Sequence, residues 1–384
     1  MQSRRVEHFV ESVIRDMTRL ALKHDAINLA QGFPDFSAPE ELKRAAADAI
    51  MGDYNQYSIT WGAKDLREEI SRKAKEYNHI TADPDSEVTV TCGSTEAMMA
   101  SMLALVDAGD EVVIFEPFYE NYGPDAAVSG AVPRFVPIGD DGSIDEDALV
   151  SAFGKRTKAI ILNTPNNPAG KVFSRNELRL IADLCTDHDA IAVTDEIYEY
   201  ILYDGREHTS IGSMDGMHDR TVTISGFSKT YSVTGWRIGY ALAEKHLTSA
   251  IRKVHDFLTV GAPAPLQHAC VTALRFPRSY YEELAGMYDR KRMMLYDALS
   301  AAGFECLMPE GAYYILTDIP EGTGMDDMAF AKYLVREAGF SAVPGSSFYN
   351  SKKGKHKLRF TFSKKDETLM AASERLARLH LPRD

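Results

Sequence analysis

Cysteine is scarce in this chain: 384 residues hold four, Cys92, Cys185, Cys270 and Cys306, with no C-x-x-C pair and no histidine in zinc-ligand spacing. That excludes a disulfide scaffold and a cysteine-rich zinc module, and it suits small buried thiols in a reducing compartment. Long apolar runs are missing too. The longest, Met98 to Val106, is about half of what a membrane-spanning helix needs. Arg4 and Arg5 open the chain, but charged and apolar residues alternate from Val6 to Arg15, so no signal-peptide core follows. There is no excess of basic residues: 43 Lys and Arg against 56 Asp and Glu give a net charge of −13. Such a surface repels nucleic-acid phosphates and anionic membrane, and leaves room only for a local basic pocket. Internal repeats, low-complexity tracts and the HEXXH, GxxxxGK[ST] and GxSxG motifs are absent, which removes the simplest zinc-protease, P-loop and esterase readings. A soluble, cytoplasmic protein without nucleic-acid, membrane or metal partners is expected.

What is present is the pattern of an ordinary globular protein, 45% hydrophobic and 26% charged. Short β-branched apolar runs alternate with helical stretches. Val88 to Thr91, Glu111 to Phe115, Lys158 to Leu162, Ala190 to Thr194 and Thr221 to Ser225 read as strands. Thr95 to Val106 reads as a helix, and Ser174 with Glu177 makes a capping box for another. The alternation predicts an α/β domain around a largely parallel sheet. Beyond it, a long helix from Pro277 to Ala302, strands at Gly311 to Ile319 and Lys357 to Ser363, and a helix near Asp326 to Ala338 predict a smaller α+β domain. The expected division is a large domain over 31–280 and a small one over 281–384, with residues 1–30 packing on the small domain or on a neighbouring subunit.

Four segments carry candidate chemistry, three of them at strand ends, where open α/β sheets bind ligands. Ser225-Gly-Phe-Ser-Lys229 follows one strand; a lysine there can be desolvated to the neutral amine that Schiff-base chemistry requires. Arg237, eight residues on, supplies a fixed cation, and the Ser225 and Ser228 hydroxyls supply donors for a phosphate. Asp195, in Val-Thr-Asp-Glu-Ile-Tyr198, is a strand-end carboxylate that calls for a cationic partner. Asn163-Thr-Pro-Asn-Asn167-Pro-Ala-Gly170 is a rigid turn that can aim Asn167 into a cleft. Cys92-Gly-Ser-Thr-Glu96 opens a helix, so the amides near Ser94 and Thr95 suit a phosphate. In Leu358-Arg-Phe-Thr-Phe362 the apolar residues alternate, which turns Arg359 away from the core, either toward a carboxylate or, on an edge strand, toward solvent.

Together these strings, in this order and spacing, resemble the class I/II aminotransferases of fold type I, which depend on pyridoxal 5'-phosphate. Asn28-Leu-Ala-Gln-Gly-Phe-Pro-Asp-Phe36 and Asn55-Gln-Tyr57 look closest to the kynurenine, glutamine and methionine transaminase branch. The resemblance implies a mixed, mostly parallel seven-stranded sheet between helices, plus the smaller α+β domain. It implies that Lys229 forms a Schiff base with the cofactor and later shuttles a proton, and that Asp195 pairs with the ring nitrogen. Tyr198 and Asn167 would bond the ring's phenolate oxygen, Tyr119 would stack on the ring, and Arg237, Ser228, Ser94 and Thr95 would hold the phosphate. Tyr57 would reach the phosphate of a neighbouring subunit, which makes a homodimer with shared active sites part of the expectation. Arg359 would anchor the substrate carboxylate, with Gly32 letting the backbone approach it and Asn167 beside it.

Two departures stand out. Many relatives carry a serine where this chain has Gly226, which leaves either Ser225 or Ser228 for the phosphate. Several aspartate-preferring bacterial relatives have a lysine where Thr95 falls, so aspartate is not the expected donor. Phe9, Phe33 and Phe348 point toward aromatic or long apolar amino acids. The implied reaction is ping-pong transfer of an amino group from an L-amino acid to a 2-oxo acid, with a β-lyase or decarboxylase on the same scaffold as the alternative.

Overall fold

The computed structural model describes residues 11–382; Arg4, Arg5 and Phe9 lie outside them. Its strands are β1 (Ile27–Asn28), β2 (Val88–Thr91), β3 (Glu111–Glu116), β4 (Val132–Pro137), β5 (Thr157–Asn163), β6 (Ile191–Asp195), β7 (Thr221–Gly226), β8 (Gly239–Ala243), β9 (Tyr314–Asp318), β10 (Phe340–Ser341), β11 (Val343–Pro344) and β12 (Lys357–Thr361). The helices are α1 (Val13–Lys23), α2 (Glu40–Met51), α3 (Lys64–Lys73), α4 (Ser94–Leu105), α5 (Tyr122–Ser129), α6 (Glu146–Ala152), α7 (Arg175–Asp187), α8 (Lys245–Leu258), α9 (Ala264–Leu274), α10 (Arg278–Ala301), α11 (Asp327–Tyr333) and α12 (Asp366–Leu376).

Seven strands form one sheet in the order β2-β8-β7-β6-β5-β3-β4. The pairs from β7 through β6, β5 and β3 to β4 are parallel. Only β8 runs against its neighbours β2 and β7. The strand period of two assigns each residue a face. Ala159 and Ile161 of β5 join the core made with α4, α5 and α8, whereas Ile160 and Leu162 join the core made with α6 and α7. Burial on both faces explains why these strands read as continuous apolar runs. Helix α7 starts on the Ser174–Glu177 capping box.

The second unit is a three-stranded antiparallel sheet, β11-β12-β9. Its core takes Leu284, Tyr288, Leu295 and Leu299 from the 24-residue α10, and Leu369, Ala372 and Leu376 from α12. Met17 of α1, Leu29 and Ala30 pack into the same core, and β1 pairs in parallel with β10. Ala169, Ile197, Tyr198 and Ile201 of the large unit also belong to it, so the two units share an apolar seam. No helix among the described residues is long and apolar enough to cross a membrane.

Candidate active site

Parallel pairing puts the C-terminal ends of β5, β6 and β7 on one edge of the sheet, and β2, antiparallel to β8, ends there too. The turns that follow converge on a cavity of about 330 Å³. Ser94, Thr95, Tyr119, Asn167, Asp195, Tyr198, Ser228, Lys229 and Arg237 line it from the large unit, Arg359 from the small one, and Gly32 from the segment between α1 and α2. Among the candidates, Ser225 and Tyr57 are not in its wall.

Lys229 and Asp195 face this cavity as opposite charges without a direct bond. The amine's one protein partner among the described residues is the Gly32 carbonyl at 3.5 Å, and the rings of Tyr198 and Tyr313 stand 5.8 Å away. Burial pushes its pKa down to about 8; the Asp195 carboxylate opposes this, while Arg237 and Arg359 add to it. Asp195 accepts a hydrogen bond from Tyr122 Oη at 2.9 Å and one from the Ile197 amide at 3.2 Å. Burial pushes its pKa up to about 6 in spite of those donors. Asp125, one turn into α5, is pushed up to about 8 by burial and by the Asp195 charge, so at neutral pH it is mostly an uncharged acid. The Tyr198 hydroxyl meets the Tyr314 hydroxyl at 3.0 Å, and burial holds its phenol well above the ordinary range.

One end of the cavity is built for an anion. Gly93 takes φ +83° to turn the chain into α4, and a side chain there would run into the Arg237 guanidinium. The first amides of the 12-residue α4 therefore open toward Arg237 and Ser228. Arg237 itself sits in the left-handed region at φ +56°, strain of a kind that surrounding structure must hold in place. Of the two serines, Ser225 is ruled out: it is buried on β7 with its hydroxyl donating to Glu199 at 2.7 Å. Ser228, three residues on, lines the cavity. A serine at 226 has no room either, since a Cβ there would lie 2.9 Å from the Gly239 Cα and the Ile238 oxygen.

The other end presents a buried guanidinium. Arg359 is 1% exposed, not solvated, because β12 is the middle strand of its sheet and not an edge. Its Nη1 donates to Asn167 Oδ1 at 2.9 Å and its Nη2 to the Ala30 carbonyl at 2.6 Å, while Nε has no partner. The rings of Tyr314 and Phe348 lie 4.3 and 4.8 Å from the guanidinium carbon. The bond to Arg359 fixes the Asn167 amide and leaves its –NH₂ without a hydrogen-bond partner among the described residues. A side chain at Gly32 would collide with Tyr314, and its carbonyl accepts from Tyr313 at 2.9 Å. Phe33 lines the cavity with Ile14 and Tyr119; Phe348 is packed behind the arginine instead.

Tyr122, Tyr313 and Tyr314 were not among the sequence candidates. Tyr122 lies in the first turn of α5, and only the fold brings it from 73 residues away onto Asp195. The Tyr313-Tyr314 pair, visible as Gly311-Ala-Tyr-Tyr, reads in sequence as ordinary strand filling.

A lone buried amine, a buried carboxylate without a cation in contact, and an anion cradle at one end fit pyridoxal phosphate, with its aldehyde, ring nitrogen and phosphate. Fold and site thus define a transferase of amino groups. The family model for aminotransferase class I and II matches residues 24–376, and the chain belongs to that family. It is a pyridoxal-phosphate-dependent transaminase, taking an amino acid and a 2-oxo acid as substrates. It is 37% identical to human kynurenine–oxoglutarate transaminase 1, over 98% of this chain and 97% of that one. It is 36% identical to the methionine aminotransferase of Escherichia coli, over 96% of both. The solved N-succinyldiaminopimelate aminotransferase of Mycobacterium tuberculosis superposes with a TM-score of 0.96 at 37% identity, over 99% of this chain and 100% of that one.

Proposed function

We propose a cytoplasmic homodimer whose amino donors are aromatic, methionine or glutamine-like L-amino acids. The single observation that carries the site reading is one cavity walled by Lys229, Asp195 and Arg359. When bound, pyridoxal phosphate supplies an aldehyde carbon and an electron-withdrawing ring. Lys229 Nζ, its pKa lowered to about 8, would hold the cofactor's aldehyde carbon with loss of water and, once the substrate amine has displaced it, would carry the proton to and from the substrate α-carbon. Asp195 would keep a proton on the ring nitrogen. Tyr198 and Asn167 would donate to the ring's phenolate oxygen, and Tyr119 would pack against the ring. Ser228, Arg237 and the amides at Ser94 and Thr95, all in the cavity wall, would hold the phosphate. Arg359 forks onto the substrate carboxylate, with Gly32 leaving it room.

The donor class is supported by the apolar wall of Ile14, Phe33 and Tyr119, by Thr95 where aspartate-preferring relatives have lysine, and by the kynurenine and methionine transaminases the chain is similar to. A screen of each amino acid against the loaded enzyme, followed by cofactor absorbance, tests it. Kynurenine, phenylalanine, methionine and glutamine should react at least about 10-fold faster than aspartate, the size of one good side-chain contact; aspartate as the fastest donor would sink the proposal.

The dimer is supported by exposed apolar residues. Met51, Tyr57 and Phe257 are 83%, 88% and 91% exposed, with Ile59 and Val260 close to half exposed. Patches of this kind mark interfaces. Tyr57, absent from the wall of its own cavity, suits the phosphate of a second copy. Sedimentation should give a dimer, and Tyr57→Phe should keep that dimer while weakening cofactor affinity about 3- to 30-fold, the worth of one hydrogen bond. A stable monomer with full affinity would overturn this.

A further inference from the structure

Behind the anion cradle lies a buried histidine whose two ring nitrogens both face acceptors. His255, on α8, places Nδ1 2.7 Å from Glu96 Oε1 and Nε2 2.8 Å from the Thr60 carbonyl. A carbonyl oxygen only accepts. Glu96 also accepts, for it takes the Cys92 amide on one oxygen and the Thr259 hydroxyl, at 2.6 Å, on the other. Both ring nitrogens therefore carry protons, and the ring is an imidazolium. Its side chain is 0% exposed and that of Glu96 8%. The pair links three segments: the turn from Cys92 to Glu96 that opens α4, the helix α8, and the loop three residues after Tyr57.

We infer that His255 is a positioning residue, a buried cation that locks the phosphate-holding turn at Ser94 to the loop carrying Tyr57. It touches neither substrate nor cofactor. This rests on the assignment of that turn to the cofactor phosphate. Around the ring stand Glu96 from α4, Asp256 from its own helix, and the half-buried Cys92 thiol beyond Glu96; Arg237 lies past the thiol. Burial opposes the charge, but the Glu96 carboxylate and the Thr60 carbonyl prevail, so the ring titrates above its ordinary range. When it loses its proton as the pH rises, one of the two bonds must go and the turn loosens.

The test has two arms. Histidine nitrogen NMR of the whole protein should show both nitrogens of His255 protonated at pH 7, in the presence or absence of cofactor; a ring with one bare nitrogen at pH 7 overturns the inference. The second arm measures binding of pyridoxamine phosphate, which cannot bond covalently to Lys229, and of pyridoxamine, which lacks the phosphate. His255→Gln should weaken the phosphate form about 10- to 100-fold, the worth of a charged buried hydrogen bond, and leave pyridoxamine unchanged. Glu96→Gln should keep the fold and move the loss of affinity on raising the pH to lower pH. Equal weakening of both ligands, or an unmoved pH profile in Glu96→Gln, overturns the positioning role. If wild type shows no preference for the phosphate form, the phosphate assignment itself fails, while the NMR arm still reports the state of the ring.

Discussion

Replacing Lys229 by alanine should abolish turnover, by at least about 10,000-fold, since it removes at once the covalent handle and the proton carrier, the latter alone worth about 100- to 10,000-fold. Nothing stands in for it: among the described cavity residues no other lysine lines the wall. Cofactor should still bind, held by Arg237, Ser228 and the α4 amides, but with the absorbance of the free aldehyde. Retained turnover, or retained absorbance of the lysine-bound form, would refute the assignment. A second consequence concerns stability without cofactor. The folded-state pKa of about 8 lies below the ordinary 10.5, so the folded chain carries a penalty whenever this amine is protonated. That penalty is complete below pH 8 and fades as the pH rises to about 10.5. Lys229→Met should accordingly raise the melting temperature of the cofactor-free protein most at neutral pH, by the equivalent of about 1–3 kcal/mol, and least above pH 10. Thermal scans across pH 6 to 10.5 would read this directly.

The parts of this site that sequence exposes are those carried by one segment. β5, β6 and β7 show as apolar β-branched runs because both faces of a parallel strand are buried, and each run ends at a polar residue that the fold turns into the cavity: Asn163, Asp195, and the turn to Lys229. The structure shifts their ends by a residue or so; α4 starts at Ser94 where the helix was expected from Thr95. What sequence does not expose depends on a second segment. β8, Gly-Tyr-Ala-Leu-Ala, has no β-branched residue to mark it and nothing local that says it runs antiparallel. The choice between Ser225 and Ser228 is invisible until Glu199 is seen to occupy the first of them. The alternation around Arg359 separates it correctly from Leu358 and Phe360, yet cannot tell solvent from a cleft closed by Tyr314, Phe348 and Asn167. Tyr122 and the Glu96–His255 pair escape for the same reason, being contacts between residues 73 and 159 positions apart.

Asp195→Asn should act in opposite directions on the empty and the loaded protein. Without cofactor the carboxylate is buried against a hydroxyl and one amide, with no cation in contact. Its folded-state pKa of about 6, above the ordinary 3.8, means that ionisation is unfavourable in the fold. The resulting loss of stability is absent below pH 3.8, grows as the pH rises through 6, and is complete above it. The neutral amide removes that loss, so the cofactor-free variant should melt higher than wild type at pH 7 and no higher at pH 4. In the loaded enzyme the sign reverses. A protonated ring nitrogen would make Asp195 half of a buried ion pair, and removing one partner of such a pair costs about 3–5 kcal/mol. At 1.36 kcal/mol for each factor of ten, kcat should fall about 100- to 5,000-fold. Tyr122→Phe, which leaves the carboxylate charged and removes one donor to it, should fall only about 3- to 30-fold, the share of a single hydrogen bond. The two variants separate charge from geometry: equal losses in both would mean that the carboxylate merely positions the ring, and no loss in Asp195→Asn would mean that the ring nitrogen is not protonated here at all.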